Sequence, residues 1–137
     1  MNKHLYLRAY LAGIAVPTLM LLGIMTGYTI LRYAMHFPVP IERVIVFPMA
    51  VVPNLWGLWN IAFVATNEKL HIPIGFHGMI LPFFLVPLGM LAASLLDFSV
   101  PRFVFSVLPV AGPVALIAYY LAWKYLVHGL NGVLGIA

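Results

Sequence analysis

The stretch Phe47-Pro-Met-Ala-Val-Val-Pro-Asn-Leu-Trp-Gly-Leu-Trp-Asn60 holds two prolines, two tryptophans and two asparagines within fourteen residues. In water it reads as a loop. It lies, however, inside the uncharged apolar run 44–66. Proline inside a helix leaves a carbonyl about one turn earlier without its donor. In hydrocarbon such a group must find a partner within the protein. Asn54 and Asn60 are the nearest candidate donors, so this segment is expected to face protein along Pro53, Gly57 and Asn60. Those positions are four and three apart and share one helical face. Trp56, Trp59 and Phe63 form a second stripe at the same spacing.

The surrounding composition sets the solvent. Of 137 residues, 64% are hydrophobic and 7% are charged. A soluble domain carries about 25% charged residues, and this chain has too few to cover a globular surface. A polytopic membrane protein fits instead. Lys3, Arg8, Arg32, Arg43, Lys69, Arg102 and Lys124 are scattered at or near the ends of apolar runs. That is the pattern of interfacial anchors, not of a nucleic-acid surface. With no cysteine in the chain, disulfides, iron–sulfur clusters and thiolate zinc sites are excluded. The basic start MNKHLYLRAY leads into an apolar run too long for a signal peptide, and reads as a retained helix.

Four apolar runs follow, at about 9–35, 44–66, 74–96 and 103–127. At 1.5 Å per residue, 23 residues reach about 35 Å, enough to cross a hydrocarbon core of about 30 Å. The expected fold is an all-α integral membrane four-helix bundle with proline-kinked helices, one transmembrane domain over 1–137. The links are 36–43, rich in proline, then 67–73, and a tight 97–102 turn where Ser99 is a candidate N-cap. Four crossings place both termini on one side. Lys3, Arg8, Lys69 and Lys124 lie there, against Arg32, Arg43 and Arg102 opposite. Four to three points the termini to the cytoplasm by the positive-inside rule. Tyr6, Tyr10 and Tyr33 near the ends of the first run, and Tyr119, Tyr120, Trp123 and Tyr125 near the end of the fourth, suit the headgroup level.

Prolines recur in a pattern. Phe47-Pro-Met-Ala-Val-Val-Pro53 matches Leu81-Pro-Phe-Phe-Leu-Val-Pro87, so Pro48 and Pro53 correspond to Pro82 and Pro87. Broken helices in matching positions are one pointer to a transporter site, and equally a means of packing short helices. Gly23 and Gly27 form a GxxxG motif, a site for close helix approach.

Chemistry is sparse. Glu42, Glu68 and Asp97 all fall at span ends, so no carboxylate sits mid-membrane to couple protons. There is no serine-nucleophile context, HExxH, P-loop or dinucleotide motif, and the chain is not expected to be an enzyme. His4, His71, His77 and His128 fall on the terminus side together with Glu68. Such a set could ligate a divalent metal, and two facing histidines could hold haem. Polar residues also collect at span ends for solvation alone. The leading expectation is a non-catalytic subunit or accessory factor of a larger complex in a cell (inner) membrane, with lipid and other membrane subunits or a second copy as partners. The alternatives are a homo-oligomeric transporter or channel lined by Asn54 and Asn60, and a haem or metal carrier.

Overall fold

A computed structural model describes residues 3–36, 47–97 and 99–136. Of these 88% are helical, and no strand occurs among them. The proline-bearing link with Glu42 and Arg43 lies outside the described residues. Helix α1 spans Leu5–Met35. A π-helical turn, Phe47–Val51, leads into α2, Val52–Leu70. The third apolar run is two helices, α3 at Ile74–Ile80 and α4 at Pro82–Leu95. The fourth is α5 at Arg102–Leu121, a π-helical segment Ala122–Val127, and α6 at His128–Val133. Four stretches, Leu5–Met35, Phe47–Leu70, Ile74–Leu95 and Arg102–Val133, are long and apolar enough to cross a membrane.

The helices outrun the apolar stretches at several ends. Helix α2 continues through Asn67, Glu68 and Lys69 to Leu70, because these residues tolerate helix. The stop is His71, in the left-handed region at φ 50°, whose N–H bonds the Asn67 carbonyl at 3.0 Å. His36 ends α1 in the same conformation, and His4 precedes α1 in it. Histidine is among the side chains enriched there. Three of the five histidines therefore sit at helix boundaries. Helix α5 starts differently from expectation. Pro101 occupies the N-cap position with extended ψ, and no side chain caps the end, so Ser99 is not the cap.

Most of the buried residues among those described lie toward one end of the bundle. The buried residues of α1 are Ala9, Ala12, Gly13, Val16 and Pro17, all in its first half. They meet Trp56, Gly57 and Asn60 of α2. Gly75, His77 and Gly78 of α3 pack against Trp123 and Tyr120. The positions in α1, α3 and the final span lie in the halves nearest the two termini, while Trp56, Gly57 and Asn60 lie near the middle of theirs, and Arg8 Nη1 donates to the Leu134 carbonyl at 2.9 Å, tying the start of the chain to its end. In the opposite half burial is sparse among the described residues. Helix α5 has no buried residue, and Leu85 is the one buried residue of α4.

Glycine sets how closely helices meet. A Cβ added at Gly13 would lie 2.6 Å from the Trp56 carbonyl oxygen and 2.7 Å from Gly57 Cα. Backbone touches backbone there, and only glycine fits. The close approach of α1 thus lies at Gly13. At Gly23 and Gly27 an added Cβ meets nothing within 4 Å among the described residues. The hydroxyls beside them are also satisfied locally, Thr26 on the Leu22 carbonyl and Thr29 on the Met25 carbonyl, each at 2.8 Å.

Candidate functional site

The polar groups of the packed end form a connected set. Asn60 is fully buried and Asn131 nearly so. Asn60 Nδ2 donates to the Ala9 carbonyl at 2.7 Å and to Asn131 Oδ1 at 2.8 Å, and Asn131 Nδ2 returns a bond to Asn60 Oδ1 at 3.1 Å. One amide pair therefore joins α1, α2 and α6. The helix end beside it is closed by a left-handed glycine: Gly135 has φ 66°, and the Ile136 N–H reaches back to the Asn131 carbonyl at 2.8 Å, the bond pattern of a Schellman cap. With Arg8 on the Leu134 carbonyl, the carbonyls of Leu130, Asn131, Gly132 and Leu134 all have donors from the protein.

One tryptophan of the quoted stretch, Trp59, answers the proline break in the next span. Pro82 has no N–H to offer the Gly78 carbonyl. The Leu81 N–H takes that carbonyl at 3.1 Å in a tightened turn, and so leaves the His77 carbonyl, its ordinary partner one residue back. The indole N–H of Trp59 donates to that carbonyl at 2.8 Å. Trp59 also stacks at 4.9 Å from the His77 ring and 5.1 Å from Phe84. This linkage gives a quantitative expectation. Trp59→Phe keeps the ring and leaves the His77 carbonyl bare, at a cost of about 1 kcal/mol. Pro82→Ala restores the missing donor, so in its background Trp59→Phe should be nearly neutral. A double-mutant cycle on unfolding in mixed micelles reads that coupling directly.

The other expected site residues are placed as follows. Asn54 is exposed, not buried. Its Oδ1 accepts from the Tyr10 hydroxyl and its Nδ2 donates to the Ala50 carbonyl at 2.6 Å. That carbonyl lies three residues before Pro53. Pro48 is in the π-helical turn and Pro53 in the first turn of α2. Pro82 starts α4, while Pro87 lies inside it. The two prolines of each copy of the sequence pattern thus have different structural roles. Gly57 is buried against the rings of Tyr10 and the Cγ2 of Ile14.

The histidines do not converge. His4, Glu68, His71 and His128 are exposed, and His77 is buried in an aromatic cage of Trp59, Phe63 and Trp123. Among the described residues no three of His, Asp, Glu or Cys form a group able to hold a metal ion. His77 has no histidine opposite it to complete a bis-histidine haem pair. Its rings of contact are carbon faces, and its Nδ1 is buried with no partner among the described residues.

Asn60 is fully buried, bonded to Asn131 and the α1 backbone. The open space lies elsewhere. A groove of about 540 Å³ separates α4 from α5, walled by Pro82, Val86, Pro87, Leu108, Gly112 and Pro113. A second, of about 420 Å³, runs between α1 and the final span. Sequence reasoning did not single out Gly13 or Asn131. Gly13 belongs to no spaced glycine pair, and Asn131 falls past the last apolar run, where an amide looks solvated. Comparison with known proteins finds no match to this chain among family models, curated proteins or solved structures.

Proposed function

We propose that the chain is a four-span integral membrane protein acting as a non-catalytic subunit or accessory factor, docked laterally on another membrane protein. The observation that supports this reading is the asymmetry of the bundle. At one end the polar groups are largely spent on one another, in the Asn60–Asn131 pair, the Trp59–His77 bond and the Arg8–Leu134 bond. At the other end, among the described residues, a groove separates proline- and glycine-bearing faces of α4 and α5. In lipid, apolar surface alone gives no drive for association; shape and close approach do. Faces notched by Pro87, Gly112 and Pro113 offer that shape to a partner helix.

The test is extraction of a tagged chain from its native membrane in mild detergent, followed by native mass spectrometry. A heteromeric complex of fixed ratio is the expected result. That complex should be lost when Gly112→Leu fills the α4–α5 groove. A homo-oligomer that supports ion or solute flux in liposomes contradicts the reading and favours the transporter alternative.

A further inference from the structure

Of the five histidines only His77 is buried. It lies one turn inside α3, close behind the link 71–73. Its ring faces Trp59 and Phe63 of α2 at 4.9 and 5.3 Å, and Trp123 of the π-helical segment at 6.1 Å. Its Nδ1 is buried without a hydrogen-bond partner among the described residues, and so are the indole nitrogens of Trp56 and Trp123. Trp56 stacks on Trp123 at 5.4 Å, so the three nitrogens belong to one aromatic cluster. An indole N–H can only donate. The side chains around His77 are therefore donors or hydrocarbon. Other titratable groups nearby face elsewhere. On α5, Tyr119 packs on Trp56, and Tyr120 on Gly75 and Phe76. Lys124 lies over the Tyr120 and Tyr125 rings. The two described acids, Glu68 and Asp97, are exposed at helix ends, and neither bonds His77.

We propose that His77 is a proton-operated latch: neutral, it stays in the aromatic cage and holds α3 against α2 and the final span; protonated, it leaves the cage and α3 comes away at the Leu81–Pro82 break. The proposal is independent of the subunit role. A neutral ring with its hydrogen on Nε2 presents a lone pair at Nδ1, which suits neighbours that are donors or hydrocarbon. Protonation puts an N–H at Nδ1, where there is no side-chain acceptor and no carboxylate to pair the charge. The ring faces attract a cation, but they replace neither the missing acceptor nor the lost water, and an unpaired buried charge is costly. In an open arrangement water or headgroups answer both N–H groups. The proton therefore favours opening. The closed cage is held above the ordinary histidine value of about 6.5 and is lost as pH falls below it, the open-to-closed ratio rising up to about tenfold per pH unit for one proton. The backbone is made to part at this place. Pro82 has no N–H, the Leu81 N–H is drawn to the Gly78 carbonyl, and the His77 carbonyl is held from outside its helix by Trp59 at 2.8 Å. The same Trp59 stacks on the His77 ring, so ring and carbonyl are released together.

The chain has three tryptophans, and Trp56, Trp59 and Trp123 all belong to this cluster, so their emission reads the cage directly. The purified full chain in non-ionic detergent is taken from about pH 7.5 to about pH 5, either side of the ordinary histidine value. The wavelength of maximum emission is followed, since imidazolium can dim a neighbouring indole without any movement, and far-ultraviolet circular dichroism is recorded alongside. The wild type is expected to shift reversibly to the red with its helical signal unchanged. His77→Phe and His77→Gln are expected to stay at one wavelength throughout. A chain with His77 as its sole histidine, carrying Asn at positions 4, 36, 71 and 128, is expected to shift as the wild type does; asparagine tolerates the left-handed backbone of the first three. A wild type that does not shift overturns the latch. So does a shift that survives either His77 substitution, one that is lost from the sole-histidine chain, or one that comes with loss of helix, which is general unfolding. If both His77 variants are already red-shifted at neutral pH, the sole-histidine chain decides alone, supporting the latch if it shifts and overturning it if it does not.

Discussion

Gly13→Leu is expected to unpack the bundle at its tightest point. The side chain would enter the space of the Trp56 carbonyl and the Gly57 backbone, which cannot swing aside as a flexible side chain can. The obstacle belongs to a helix whose neighbouring indole, Trp56, is itself buried 5.4 Å from Trp123. Overpacking of this kind costs about 3 kcal/mol, the upper part of the range for inserted bulk. Detergent-driven unfolding followed by tryptophan fluorescence measures it, since Trp56 and Trp123 report on the packed end. Gly23→Leu is the control, on the same helix and also glycine. It faces open space among the described residues, so its effect should stay within about 0.5 kcal/mol. Equal losses for the two variants would place the close approach of α1 at the GxxxG motif and contradict the packing described.

Asn60→Leu is expected to cost about 2–3 kcal/mol. It strands the buried Asn131 amide, and the Ala9 carbonyl loses its second donor while keeping its own bond within α1; the unpaired amide carries its own desolvation penalty. The second substitution decides the cause. Asn60→Leu with Asn131→Leu replaces the pair by apolar side chains of similar size, and removing both partners is far less costly than removing one. Most of the lost stability should return, with a coupling of about 1–2 kcal/mol in the cycle. Additive losses would mean that the amides act separately, for example on solvent or a solute. That outcome would revive the pathway reading of Asn60.

Much of the architecture was legible because lipid-length apolar runs are a coarse and redundant signal. The four runs and their order needed no fine detail, and even the errors in their ends have one cause. A helix continues past the hydrophobic stretch until a backbone feature stops it, as at His71 and Pro73. The connections between helices were less legible. The need of a proline-broken helix for donors was readable, but its answer was not local. The His77 carbonyl is served by Trp59, eighteen residues away, and Asn60 is served by Asn131, seventy-one away. Spacing along one helix carries no information about such partners. The same limit applies to glycine. Gly23 and Gly27 form a familiar spaced pair yet touch nothing within the described chain, while Gly13, without a partner at that spacing, is where two backbones meet. Histidines at helix boundaries can be there to turn the chain, as His4, His36 and His71 do with positive φ.

The absence of cysteine from the chain gives the most direct test of four membrane crossings. Single cysteines at Lys69, Ser99 and Val110 are each unique probes, and all three positions are exposed on the folded chain. In sealed, uniformly oriented vesicles a membrane-impermeant maleimide should label positions 69 and 99 from opposite sides. Position 110, bathed in hydrocarbon, should stay unlabelled until the protein is denatured. Labelling of 69 and 99 from the same side, or ready reaction at 110 in the intact membrane, contradicts it.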